Sequence, residues 1–260
     1  MEKQNLPVIF VTNDDGVNAR GIKALIEAVR PFGKIVVVAP TEGQSGMGHA
    51  ITIKVPLRLK KVHEEDNLLI YSCNGTPADC VKLGVYEVIG RVPDFLVSGI
   101  NHGSNASISV VYSGTIAGAV EACLYGVPAV GFSLCDWNPE ADFTAAQSVV
   151  RTIVKNLITN KLPKWTCLNV NIPAVSLEKL QGYKVCHQTH GVWREEFEKR
   201  NDPGGNPYYW LKGEFQNFEP ENMENDEWAL ANHYVAVTPI RIDFTDYKFM
   251  AELKNWNYNL

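Results

Sequence analysis

Two hydrophobic rhythms alternate through the first two thirds of the chain. Continuous apolar runs, many of them β-branched, recur at "PVIFVT" (7–12), "KIVVVAP" (34–40), "DFLVSGI" (94–100), "VPAVGFSL" (127–134) and "TCLNVNIP" (166–173). Runs of this kind suit parallel strands buried on both faces. Between them lie stretches of helical period. "ARGIKALIEAVRPFG" sets Ile22, Leu25, Ile26 and Val29 on one face. "TPADCVKLGVYEVIG" opens with Thr76 as N-cap and Pro77 at the first helical position. "SGTIAGAVEACLYG" is capped by Ser113 or Thr115 and closed by Gly126, and "AAQSVVRTIVKNLI" makes a further helix. A loop, "TEGQSGMGH", leads from the second run into "AITI" and then "LLIYS", which read as short strands. The alternation predicts a doubly wound α/β fold with a mostly parallel sheet.

Near residue 188 the pattern changes. Aromatics, charges and Gly-Pro punctuation mix without a helical period, which predicts a projecting hairpin arm over about 188–230. "NDPGGNP" is its loop and "YYWLKGEF" one of its strands. Exposed aromatics on such an arm pack against a partner or a neighbouring subunit. "HYVAVTPIRI" reads as a return strand, and a tail follows at about 244–260. Without repeats or linkers, residues 1–260 are expected to form one domain with an arm.

Composition narrows the function. The formal charge is −5, so no basic footprint argues for a nucleic-acid duplex as partner. No apolar run is long enough for a membrane span, and the N-terminus lacks a signal-peptide pattern. The six cysteines carry no CxxC spacing, which points to free thiols and a cytoplasmic location.

Candidate chemistry collects at strand ends, where open α/β sheets bind ligands. The first run delivers Asn13, Asp14, Asp15 and Gly16; the second, Gln44, Ser45, Gly46 and His49; "DFLVSGI", Asn101, His102, Gly103, Ser104 and Asn105. Alone, each reads as a turn or a glycine-bearing loop, and "SGTIAGAVEA" as a capped helix of small residues. Together they form an oxygen-rich cluster. Adjacent carboxylates repel unless a cation relieves them. Carboxylates, a hydroxyl and amides suit magnesium, manganese or calcium. Gly114, Ser113, Thr115 and the free N–H groups of a helix start suit a phosphate. A hard ion beside an anion cradle is the layout of metal-assisted phosphate ester hydrolysis.

Competing motifs fail on spacing. "GVNARG" has glycines at Gly16 and Gly21 alone, short of a dinucleotide fingerprint. The aspartates touch, whereas a haloacid-dehalogenase-type phosphatase separates its pair by one residue. No G-x-S-x-G elbow is found. His187 and His190 have metal-like spacing, but on a strand they would point to opposite faces. His102 is open as an acid or a substrate-orienting group, and the charge run of Glu195, Glu196, Glu198, Lys199 and Arg200 reads as a solvated face.

"VTNDDGVNARGIKAL", "VVVAPTEGQSGMGHAITI", "YSCNGTPADCVKLG", "VSGINHGSN" and "VYSGTIAGAVEA" resemble, in order and spacing, the survival protein SurE family of 5′-nucleotidases. The match is dense over about the first 135 residues and returns at "VNIP" and "VTPIRID". The resemblance implies a Rossmann-like fold and a cytoplasmic, divalent-metal-dependent nucleoside 5′-monophosphate phosphatase. It also implies a homodimer or homotetramer that exchanges C-terminal elements. Carried over, the metal ligands fall on Asp14, Asp15, Ser45 and Asn101, and the phosphate neighbourhood on Asn105, Ser113, Gly114 and Thr115. Asp14 or Asp15 would serve as general base toward a water. Exopolyphosphate hydrolysis, broad phosphomonoester hydrolysis and non-catalytic nucleotide or metal sensing stay open as alternatives.

Overall fold

The computed structural model describes residues 6–258. Its strands are β1 (Val8–Thr12), β2 (Lys34–Pro40), β3 (Leu59–Glu65), β4 (Leu68–Cys73), β5 (Phe95–His102), β6 (Ala129–Cys135), β7 (Thr166–Pro173), β8 (Tyr183–Val185), β9 (Gly191–Asn201), β10 (Pro207–Asn217) and β11 (Val235–Arg241). The helices are α1 (Arg20–Val29), α2 (Pro77–Leu83), α3 (Gly114–Leu124), α4 (Thr144–Thr159), α5 (Asp226–Ala231) and α6 (Tyr247–Leu253).

One sheet runs in the order β3-β4-β2-β1-β5-β6-β7-β11-β8. Its centre, from β4 to β7, is parallel; β3 and β11 pair antiparallel with β4 and β7. The chain first moves outward from β1 to β2 and β4, then returns to place β5 on the other side of β1. The order therefore reverses between β1 and β5, which opens a crevice beyond their carboxyl ends.

Helices cover both faces of the sheet. Along β1, Ile9 and Val11 join the apolar cluster under α1 and α4, while Phe10 faces the cluster under α2 and α3. This period-two division of a fully apolar run is what a doubly covered strand requires. Gly21 brings α1 onto β5, because a Cβ there would overlap the carbonyl oxygen of Ile100. Thr76 and Asp79 form a reciprocal capping box at the start of α2. Among the described residues no helix is long and apolar enough to cross a membrane.

The expected hairpin is present: β9 and β10 pair antiparallel from Gly191↔Asn217 to Asn201↔Pro207, around a loop pinned by Asp202. Trp193 ties its root to the body through Ser109 Oγ at 3.2 Å. Phe197, Tyr209, Trp210 and Leu211 are exposed along the arm, as are Phe244, Tyr247 and Trp256 in the tail. The charge run lies on β9, where Lys199 and Arg200 are exposed.

"AITI" departs from expectation. Residues 50–53 form no strand, and Thr52 N–H instead donates to Asp79 Oδ1 at 3.0 Å. The strand in this region is β3, an exposed, charged edge that carries no hydrophobic alternation to read. The short β8, α5 and α6 also lack a periodic signal.

Candidate active site

Asp14 and Asp15 follow β1 directly at the mouth of the crevice. Asp14 is 3% exposed, and Asp15 is half-buried. Across the crevice, β5 carries a bulge: Gly99 and Ile100 together oppose Phe132, between the pairs Ser98↔Gly131 and Asn101↔Ser133. An extra residue of this kind re-aims the side chain after it. That side chain is Asn101, whose Nδ2 donates to the carbonyls of His102 and Gly103, each at 2.9 Å. With its N–H groups engaged there, the amide presents Oδ1 to the crevice.

Helix α3 closes the cluster. Its N-cap is Ser113, whose Oγ accepts from Ile116 N–H at 3.1 Å. Thr115 is thus not the cap; its hydroxyl donates to Asp14 Oδ1 and lies 3.5 Å from Asn101 Oδ1. Gly114 is required by contact, since a Cβ there would stand 2.7 Å from Asp14 Cβ and 3.0 Å from Oδ2. The first N–H groups of the helix, which have no intrahelical acceptor, start beside this carboxyl.

The loop after β2 is held at both ends. Gln44 N–H donates to Asp14 O at 2.7 Å, and Gly48 N–H to Tyr112 O at 3.0 Å. Beyond Gly48, His49 Nε2 meets Glu121 at 2.9 Å, and Lys82 Nζ meets the same carboxylate at 2.6 Å. Ser45 lies between these anchors with its side chain exposed; it directly follows Gln44, whose N–H is bonded to Asp14 O. Asn105 is fixed from the sheet side. Its N–H donates to Asn171 Oδ1, its Nδ2 to Ser133 Oγ, and its carbonyl accepts from Asn169, all at 2.8 Å.

Burial pushes the Asp14 carboxyl up to about 6, against the Thr115 hydrogen bond and with added repulsion from Asp15. Burial also raises Asp15, which His102 N–H, at 3.4 Å, partly offsets. Among the described residues no lysine or arginine pairs with either carboxyl. Two carboxyls and an aimed amide oxygen, short of positive charge, fit a hard divalent ion.

The structure thus joins Asp14, Asn101, Gly114 and Thr115 directly and brings in Asp15, Ser45, Asn105 and Ser113 through their loops. The His102 ring instead packs edge-on against Phe143 at 5.1 Å. His187 and His190 lie outside the named strands, their rings 6.1 Å apart beside Glu219. Sequence reasoning missed Ser133, Asn169, Asn171 and Glu121. Polar residues inside the apolar runs "GFSL" and "NVNIP", and a lone carboxylate in "AGAVEACL", were the available signals.

Residues 9–195 match the family model described as "Survival protein SurE". The chain belongs to the SurE family. A 5′-nucleotidase SurE of Cytophaga hutchinsonii is 50% identical over 254 residues, covering 97% of this chain and 98% of its own. One from Flavobacterium johnsoniae is 49% identical over 258 residues, with 99% of each chain covered. The crystal structure of the SurE protein from Aquifex aeolicus superposes with a TM-score of 0.82 at 39% identity, covering 95% of this chain and 98% of that one. Similarity at this level spans the arm and β11 as well as the SurE core.

Proposed function

We propose that this SurE chain is a divalent-ion-dependent 5′-nucleotidase that hydrolyses nucleoside 5′-monophosphates to nucleoside and phosphate. The observation that carries this is the Asp14–Thr115–Asn101 cluster at the strand-order reversal, set against the N-terminus of α3. Relatives over nearly the full length named as 5′-nucleotidases support it.

Asp14, Asp15, Ser45 and Asn101 hold the ion, with magnesium, manganese and calcium all suited to these donors. When bound, the ion polarises a phosphoryl oxygen and acidifies a water. Thr115 locks Asp14 in one orientation. The N–H groups of Gly114 and Thr115 receive phosphate oxygens at the helix start. Asn105, fixed on three sides, offers its remaining amide hydrogen to the same group. Asp15 is the more accessible carboxyl and serves as general base, taking a proton from the attacking water at its free oxygen. The exposed aromatics of the arm and tail support assembly as a homodimer or homotetramer with exchanged C-terminal elements. The six unpaired thiols suit a reducing, cytoplasmic setting.

Asp15→Asn tests the assignment. The variant is expected to fold and to lose most phosphate release from nucleotides, with weakened divalent-ion binding by calorimetry. Near-native turnover would remove Asp15 from the mechanism.

A further inference from the structure

We infer that Trp137 is the stacking platform for the nucleobase, an assignment that rests on the nucleoside monophosphate reading above. Beyond β6 the chain turns back along the rim of the crevice. Gly103 N–H donates to both Leu134 O (2.8 Å) and Asp136 O (3.1 Å), so this turn is fastened to the end of β5, which carries Asn101, and to the start of the following loop, which carries Asn105. Gly103 has φ +92°, and a Cβ there would overlap the six-membered ring of Trp137. The indole therefore lies on the Gly103 backbone.

That position is close to both proposed ligand amides. The Gly103 carbonyl itself accepts from Asn101 Nδ2 at 2.9 Å. Asn101 and Asn105 are each two residues from Gly103, which limits their Cα atoms to roughly 8 Å from its own. A ribose bridges a gap of that order between phosphate and base.

The ring is presented by a rigid segment. Asn138 N–H donates to Asp136 Oδ1, Glu140 N–H to Asn138 Oδ1, and Ala141 N–H to Asn138 O, each at 2.9 Å. Arg20 ties the turn to α1 through Pro139 O at 3.0 Å and Glu140 at 2.5 Å. Yet Trp137 is 76% exposed. A large apolar ring with a pinned backbone and an open side suits stacking, which tolerates any base because every base has a π-face. The expected occupant is the purine or pyrimidine of the substrate, with little discrimination among bases.

The test compares kcat/KM for adenosine monophosphate and for glycerol 2-phosphate, which has no base, in wild type, W137A and W137F at saturating divalent ion. In W137A the ratio of the two should fall about five- to 150-fold, through KM for the nucleotide. W137F should restore most of it. Adenosine alone should quench tryptophan emission in wild type and not in W137F. An unchanged ratio, an equal loss on both substrates, or a changed sedimentation coefficient placing the indole in a subunit contact would overturn the assignment. Wild type that releases no phosphate from the nucleotide would defeat the hydrolytic reading instead. The adenosine quench then decides the platform separately: lost in W137F it stands, retained it falls.

Discussion

Asp14→Asn should stabilise the ion-free protein while destroying its response to divalent ions. Burial moves the Asp14 carboxyl from 3.8 to about 6, so keeping it ionised at pH 7.5 costs the fold about 3 kcal/mol. Asparagine has the same shape, carries no charge, and retains an Oδ1 to accept the Thr115 hydroxyl. Because the folded-state value is raised, the native state binds more protons than the unfolded chain between pH 3.8 and about 6. The contribution of Asp14 to the stability of the ion-free wild type therefore falls as pH rises through that window. Thermal melts in chelator at pH 7.5 should place D14N roughly 6–12 °C above wild type. The gap should shrink as pH falls through this window and close below 3.8, where the wild-type carboxyl is protonated in both states. Glu227, which burial raises to about 7, titrates in both proteins and cancels from the difference. Added manganese should raise the wild-type midpoint by mass action and leave D14N unmoved. A D14N protein no more stable than wild type in chelator at pH 7.5 would overturn the electrostatic argument for the ion.

Three further outcomes follow from the same contacts. Thr115→Val removes the hydroxyl that orients Asp14, so divalent-ion affinity by calorimetry should drop about ten- to 100-fold. His49→Ala releases the distal anchor of the Ser45 loop from Glu121, which is 2% exposed, and should weaken ion binding while kcat at saturating ion is largely kept. His49→Gln, which still donates to Glu121, should recover much of the affinity. Gly21→Ala drives a methyl into Ile100 O and should cost about 3 kcal/mol, read as a fall in melting temperature.

Much of this architecture is legible in the sequence because its strands and helices are long and their patterns differ. "KIVVVAP" and "DFLVSGI" are recognisable as strands without neighbours, Thr76 announces one helix start, and "SGT" announces another while leaving its cap open between Ser113 and Thr115. "AITI" departs from its apolar pattern because such a stretch can lie on a surface as a loop when its N–H groups find side-chain acceptors, as Thr52 does with Asp79. The edge strand β3 was hidden by its lysines and glutamates, which protect an exposed edge and erase the alternation. In the site, residue types at strand ends named the participants but not their bonds. That Thr115 holds a carboxyl while Ser113 caps follows from the approach of α3 to β1, which Gly114 permits and no motif records. The clamp of Glu121 on His49 and Lys82 joins three separated segments, and Asn105 depends on asparagines more than 60 residues away.

Phosphate release from a panel of nucleoside 5′-monophosphates, glycerol 2-phosphate and polyphosphate, before and after chelation and with magnesium, manganese or calcium added back, tests the proposed chemistry most directly. Release from the nucleotides that disappears with chelator, returns with the ion and exceeds that from the other phosphates is the predicted result. Nucleotide binding without phosphate release under every ion, or turnover indifferent to chelator, would contradict it.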